Sequence, residues 1–462
     1  MQKETFMKRL LTLFLIISAC GLLITGCSPA LTLSQLFSPV TFTGYVLESD
    51  DAALTLLYRA EDAQEPVTSV FDLTSLPQAP LPETGAEVKI TLKTGTDPES
   101  LKAEDTPLPA RKLEVLTASD AAEKAFYSLR ADKLLAGMSL EEKVGQMFFA
   151  RYPGPAAPED EKTWQFGGTI LFGRDFKDKS PDQIRAEITA CQDAAKIPML
   201  VGVDEEGGDV VRVSGNPALR AESFPSPQTL LQNGGMDAVT ADAHEKDALL
   251  NSLGINVNFA PVCDLSQNPA DYIYSRTTGR DAATTADYAK TTVSAMASDG
   301  MGSVLKHFPG YGPGGDTHKD FSRDSRPLET FESQDFLPFK AGVQAGAGSV
   351  LVNHNVIEAM DPDHPASLSP KVHEVLRDAL SFDGVILTDD LDMEAITKAY
   401  GADTAAVQAV AAGNDMILSS RYTIEIPAVI EAVKSKTLSE DQINASVKRV
   451  LAWKMDLGLI EN

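Results

Sequence analysis

The sequence predicts a (β/α)8 barrel preceded by a small β-rich domain. Three observations carry that expectation. From Ser139 onward, eight short apolar runs alternate with helix-like segments. Runs that are apolar throughout suit parallel strands buried on both faces. Five of the eight runs end in charged or amide-bearing residues, where a barrel of this kind gathers its chemistry. Residues 41–117, by contrast, hold only short β-type segments separated by turn residues.

The first 26 residues read as a targeting segment. Lys8 and Arg9 precede an apolar stretch from Leu10 to Leu23, and Ile24-Thr25-Gly26 leads into Cys27. The stretch is short for a bilayer-spanning helix, which needs roughly 20 residues. It resembles the bacterial lipoprotein signal, in which the cysteine is lipidated and becomes the mature N-terminus. An ordinary signal peptide or an uncleaved anchor is the alternative. The lipoprotein reading places the protein at the cell membrane, anchored through Cys27 on the extracytoplasmic face.

Residues 27–40 read as a tether. Between 41 and 117, strands are expected at Thr41–Leu47, Ala53–Arg59, Ser69–Leu73 and Glu87–Leu92, forming a small barrel or sandwich. Nothing in that domain suggests a catalytic set, and an accessory or spacer role fits it. Residues 118–137 form a helical linker, and 138–462 the barrel.

The eight runs are Val144–Ala150, Gly168–Phe172, Pro198–Val203, Ile255–Val262, Ser303–Phe308, Ser349–Asn353, Gly384–Leu387 and Asp415–Ser419. Helices are expected at Pro181–Lys196, Asp237–Leu253, Thr285–Asp299, Glu332–Gln344, Lys371–Leu380 and Thr404–Ala412, then Ile424–Lys434 and Ser439–Leu457. The stretch from Ala150 to Gly168 is loop-like. An open doubly wound sheet would share the alternation, but no GxGxxG follows the first run.

The bulk composition excludes some partners. A formal charge of −26 over 462 residues argues against nucleic acid and against a polybasic membrane contact. Beyond Cys20 and Cys27, only Cys191 and Cys263 remain, and both read as buried small apolar residues. The histidines are scattered without ligand spacing, so neither a metal nor another cofactor is indicated.

The polar run ends are Asp204-Glu205-Glu206-Gly207-Gly208, Asp264, Lys306-His307, Asn353-His354 and Thr388-Asp389-Asp390. Any one acid could be a helix cap. Five polar strand ends in one barrel are hard to explain by capping. Glycoside cleavage needs one group to protonate the leaving oxygen and another to trap an oxocarbenium-like carbon. Asp389 on a rigid strand end suits the second task. His318, on the Gly/Pro-rich loop after Lys306-His307, suits the first. Asp316, two residues away, would raise its proton affinity and orient its ring. Asp390 and Asp392 compete with Asp389 on sequence alone.

Lys306-His307-Phe308-Pro309-Gly310, followed by Asp316-Thr317-His318, resembles the signature of glycoside hydrolase family 3, in its β-N-acetylhexosaminidase branch. The similarity extends through Gly168–Phe172, Val203–Gly208 with Arg212, Asn258–Val262 and Ile386–Leu391. Tyr311, Asp209 and Ser275-Arg276-Thr277 depart from the usual pattern of that branch. The resemblance implies a retaining exo-β-N-acetylglucosaminidase acting on cell-wall muropeptides or related oligosaccharides. Asp389 would be the nucleophile, and His318 with Asp316 the acid/base pair. Asp204, Arg212, Arg276, Lys306 and His307 would hold the sugar. A β-glucosidase, a phosphorolytic relative, or a non-catalytic sugar-binding surface lipoprotein are the alternatives.

Overall fold

The computed structural model describes residues 41–49, 53–59, 66–74, 76, 82, 84–92, 108–117, 120–313 and 322–460. Cys27 with the targeting segment, and Asp316 with His318, lie outside the described residues. The chain divides into two units, one of residues 1–56 with 68–117 and the other of residues 57–67 with 118–462.

The first unit is a closed five-stranded barrel. Its strands are β1 (Thr41–Ser49), β2 (Ala53–Tyr58), β3 (Val67–Asp72), β4 (Glu87–Leu92) and β5 (Leu108–Thr117), in the order β1-β2-β3-β5-β4. Alternation decides which faces are inside. In β4, Val88, Ile90 and Leu92 are buried while their neighbours are half-exposed. Phe42 and Phe71 meet with ring centroids 5.4 Å apart. β5 escaped the sequence reading because Pro109 and the basic pair Arg111-Lys112 mask its apolar positions.

The second unit is an eight-stranded parallel barrel wrapped in helices. Its strands are β6 (Phe148–Arg151), β7 (Gly168–Leu171), β8 (Leu200–Val203), β9 (Val257–Asn258), β10 (Gly302–Phe308), β12 (Ser349–Val352), β14 (Val385–Thr388) and β15 (Ile417–Ser419). The hydrogen-bonded order runs β14-β12-β10-β9-β8-β7-β6-β15. A parallel bridge from Leu387 to Met416 brings the two ends together. The short strands β11 (Arg323–Asp324) and β13 (Val356–Ile357) pair separately.

Strand parity sorts the core into an inner and an outer layer. Phe149, Ile170, Leu200, Val257, Phe259, Val304, Leu351, Val385, Leu387 and Leu418 form one buried cluster inside the barrel. Residues of opposite parity, such as Val201, Val203 and Ile417, pack outward against the helices. Phe149 and Phe259 meet edge to face at 5.1 Å. They leave so little room that a Cβ on Gly202 would lie 2.6 Å from the Phe259 ring. The barrel is therefore plugged, and chemistry is confined to its C-terminal mouth.

Three expected elements differ. Residues 144–146 are not strand but the end of a helix, Leu140–Gln146. Ser139 and Glu142 form a capping box that starts this helix, and the apolar run hid it. The stretch expected to be loop between Ala150 and Gly168 contains a helix, Ala157–Trp164, whose acidic, weakly amphipathic face gave little periodic signal. Helix Pro227–Ser252 also begins ten residues earlier than expected, with a break at Gly235 where φ is 63°. Cys191 and Cys263 are buried free thiols.

Candidate active site

The same parity that plugs the barrel delivers polar side chains to its mouth. On β8, Leu200 and Gly202 face inward, so Asp204 and Glu206 follow on the inner side. Glu205 turns the other way. Its carboxylate accepts the backbone N–H groups of Arg212 (2.8 Å) and Val213 (2.7 Å) and so fixes the loop that carries Arg212.

Asp204, Arg212, Arg276, Lys306, His307 and Asp389 line one cavity of about 460 Å³. Arg151, Phe172, Phe259, Tyr272 and Tyr311 complete much of its wall. The sequence-predicted site residues that are described thus converge on one place.

β10 supplies two consecutive residues, Lys306 and His307. A regular strand would send them to opposite faces. Here the register slips, with Leu305 opposite Val350 but Phe308 opposite Val352. The extra residue lets both side chains line the cavity. The peptide bond between them is cis.

A charge network underlies the floor of the site. Lys306 Nζ lies 2.6 Å from Asp204 Oδ1 and 2.6 Å from Glu206 Oε1. Arg276 grips Glu206 with two hydrogen bonds, Nε to Oε2 at 3.0 Å and Nη2 to Oε1 at 2.8 Å. Burial by itself would raise the Glu206 carboxyl. Arg276 and Lys306 overcome that and hold it well below the usual carboxylate range. Arg276 is correspondingly held protonated: burial works against the charge, and Glu206 outweighs it. Arg212 Nη2 stands farther off, 3.9 Å from Asp204 Oδ2.

His307 is engaged at both ring nitrogens. Nδ1 lies 2.7 Å from Asp264 Oδ2, and Nε2 lies 3.0 Å from Arg276 Nη2. Asp264 also accepts the backbone N–H of His307 (3.1 Å) and of Tyr311 (2.7 Å). His307 therefore lines the cavity as a braced group, with its hydrogen-bonding capacity spent within the protein.

At the opposite wall, β14 ends in three acids with different surroundings. Val385 and Leu387 face inward, and the Asp389 N–H continues the ladder to Val352 O at 2.9 Å. Asp389 therefore keeps the inward parity. Asp390 also reaches the cavity, but its oxygens accept from Ser420 Oγ (2.7 Å) and from the Asp392 N–H (2.9 Å). Burial raises its carboxyl. Asp392 turns away and pairs with Arg421 at 2.8 Å. His354, buried behind this wall, sits with Nε2 3.0 Å from the Asp390 carbonyl.

Sequence reading gave no role to Glu206, Asp264, Arg151 or Tyr272. The signal for Glu206 was its spacing, since it lies two residues after Asp204 on the same strand face. Arg151 and Tyr272 stand next to no motif. No group of residues suited to hold a metal ion occurs among the described residues. No helix among them is long and apolar enough to cross a membrane.

Residues 139–453 match the family described as "Glycosyl hydrolase family 3 N terminal domain". A beta-hexosaminidase of Xanthomonas campestris pv. campestris (strain B100) is 31% identical over 308 residues, which is 65% of this chain and 92% of that protein. Beta-hexosaminidase LpqI of Mycobacterium tuberculosis is 32% identical over 329 residues, covering 69% of this chain and 83% of that one. A solved glycoside hydrolase family 3 beta-N-acetylglucosaminidase from Paenibacillus sp. str. FPU-7 superposes with a TM-score of 0.66 at 32% identity. That alignment covers 70% of this chain and 63% of the other. The match spans the whole barrel and every strand that feeds the cavity, so the chain is a glycoside hydrolase and belongs to family 3.

Proposed function

We propose that the protein is a retaining exo-β-N-acetylglucosaminidase that removes terminal β-linked N-acetylglucosamine from cell-wall muropeptides or related oligosaccharides. The observation that carries this reading is the inward parity of Asp389 in the cavity that also holds Asp204, Arg212 and Lys306. The names of the relatives, beta-hexosaminidase and beta-N-acetylglucosaminidase, support the choice of sugar.

Asp389 attacks the anomeric carbon as the glycosidic oxygen departs, forming a glycosyl ester. His318, protonated and oriented by Asp316, gives its proton to the leaving oxygen. It then takes a proton from the water that cleaves the ester, and Asp389 leaves as a carboxylate. Asp204, Arg212 and Lys306 contact sugar hydroxyls and the N-acetyl group. Arg276 and His307 hold that set in place through Glu206 and Asp264. Cys27 carries a lipid anchor that keeps the enzyme on the extracytoplasmic face of the cell membrane, beside a wall-derived substrate.

Chromogenic N-acetyl-β-glucosaminide and β-glucoside, compared as kcat/KM, test the substrate. A preference for the glucoside overturns the choice of sugar. Cys27→Ser should move the protein from the membrane to the soluble fraction, and unchanged membrane association would remove the anchor from the proposal.

A further inference from the structure

Arg151 ends β6, two residues beyond Phe149, and strand parity turns both side chains into the barrel. Phe149 belongs to the plug, and Arg151 stands one layer above it in the cavity wall. Its guanidinium lies over the Phe172 ring, 4.7 Å from the centroid. Its Nε is shielded from solvent and has no hydrogen-bond partner among the described residues. The other cations of the cavity face carboxylates: Lys306 faces Asp204 and Glu206, Arg276 faces Glu206, and Arg212 faces Asp204. Among the described residues, Arg151 is the cavity cation without such a partner.

A shielded N–H on a charged group calls for an acceptor. A guanidinium fork matches an oxyanion, and the Phe172 ring holds this one flat and in register. We infer that Arg151 reads an oxyanion in the bound complex, so that the site favours a negatively charged oxyacid group, carried by the N-acetyl-β-glucosaminide or by an incoming acceptor, over neutral groups. This rests on the N-acetylglucosaminidase reading. The oxyanion can sit on the leaving group, on the sugar itself, or on free phosphate replacing water. In the last case phosphate oxygen attacks the glycosyl ester, Asp389 leaves as a carboxylate, and the product is the sugar 1-phosphate.

The test uses the full chain and three 4-nitrophenyl-type substrates. These are the neutral N-acetyl-β-glucosaminide, its 3-carboxy-4-nitrophenyl analogue and its 6-O-sulfo analogue. A fourth arm adds inorganic phosphate to the neutral substrate and measures sugar 1-phosphate. In wild type, at least one charged substrate should exceed the neutral one in kcat/KM, or sugar 1-phosphate should form. Arg151→Gln should lower that ratio or yield at least about tenfold, with partial recovery in Arg151→Lys. The arm that responds locates the oxyanion. Wild type that prefers the neutral substrate and forms no sugar 1-phosphate overturns the inference without any variant. So does an Arg151→Gln enzyme whose ratios all match wild type, which would leave Arg151 only as packing for Phe172. Failure of wild type to cleave any N-acetylglucosaminide would instead sink the underlying functional reading.

Discussion

Arg276 Nη2 lies 3.0 Å from His307 Nε2. A guanidinium only donates, so Nε2 must accept, and the ring hydrogen belongs on Nδ1. Asp264 Oδ2, 2.7 Å from Nδ1, accepts it. The chain of groups Glu206–Arg276–His307–Asp264 thus fixes one tautomer and one ring orientation. It also ties the ends of three neighbouring strands, β8, β9 and β10, to one another.

Asp264→Ala should therefore do more than remove a charge. It strands the His307 ring N–H and the backbone N–H groups of His307 and Tyr311 without an acceptor. A loss on the order of 3 kcal/mol in denaturant unfolding is expected, together with a fall in kcat/KM. Nitrogen NMR of the labelled imidazole should show Nε2 as the bare nitrogen in wild type. A ring with its hydrogen on Nε2 would refute the arrangement.

Asp389 and Asp390 are adjacent yet should respond very differently. Asp389→Ala should cut turnover by about 1000-fold or more, equal to ~4 kcal/mol of barrier. Azide should restore some turnover by attacking the anomeric carbon where the carboxylate is missing. Asp390→Ala removes acceptors for Ser420 and the Asp392 N–H, so its main cost should fall on stability. A reversed order of the two activities, with azide rescuing Asp390→Ala instead, would move the nucleophile to Asp390.

Much of this site was legible because chain periodicity survives into it. Apolar runs with period-two parity locate the strands, and the polar residue just beyond each run falls at the mouth. That logic placed Asp204, Lys306 and Asp389 correctly on strand ends. It favoured Asp389, although Asp390 competes on sequence alone, since the strand's inner face is defined by packing of Leu387 against residues far away in sequence. It missed the helix at Leu140–Gln146 because apolar content outweighed a capping box already present in Ser139-x-x-Glu142. The slip at Leu305–Phe308 and the pairing of Arg276 with Glu206, 70 residues apart, are products of closure that no local pattern encodes.

Glu206 should govern stability in acid. Its folded-state affinity for protons is depressed, so its ion pairs contribute fully above the unfolded value near 4.5. As pH falls below that, the unfolded chain takes up the proton first and stability declines. Glu206→Gln should flatten this acid limb. At neutral pH it should cost roughly 3–5 kcal/mol, because Lys306 and Arg276 lose a buried counter-charge. Urea unfolding at pH 3.5 and 7 checks both. An equal penalty at the two values would show that Glu206 ionises as readily in the fold as in the unfolded chain.

Glu425 should produce the opposite slope in a different window. It is fully buried beside the mouth, accepts from Ser419 Oγ, and has Oε1 without a partner among the described residues. Burial pushes its carboxyl from 4.5 up to about 7. Ser419 opposes the rise, the carboxylates of Asp390 and Asp392 add to it, and Arg421 partly offsets them. The folded protein therefore keeps a proton that the unfolded chain has released between pH 4.5 and about 7. Stability contributed at this site is present below pH 4.5 and is lost as pH rises toward 7, by about 3 kcal/mol in all. Glu425→Gln retains an acceptor for Ser419 and removes the titration. The variant's advantage over wild type should thus grow from pH 5 to pH 8 in urea unfolding. A difference that stays constant across that range would mean that Glu425 ionises as readily in the fold as outside it.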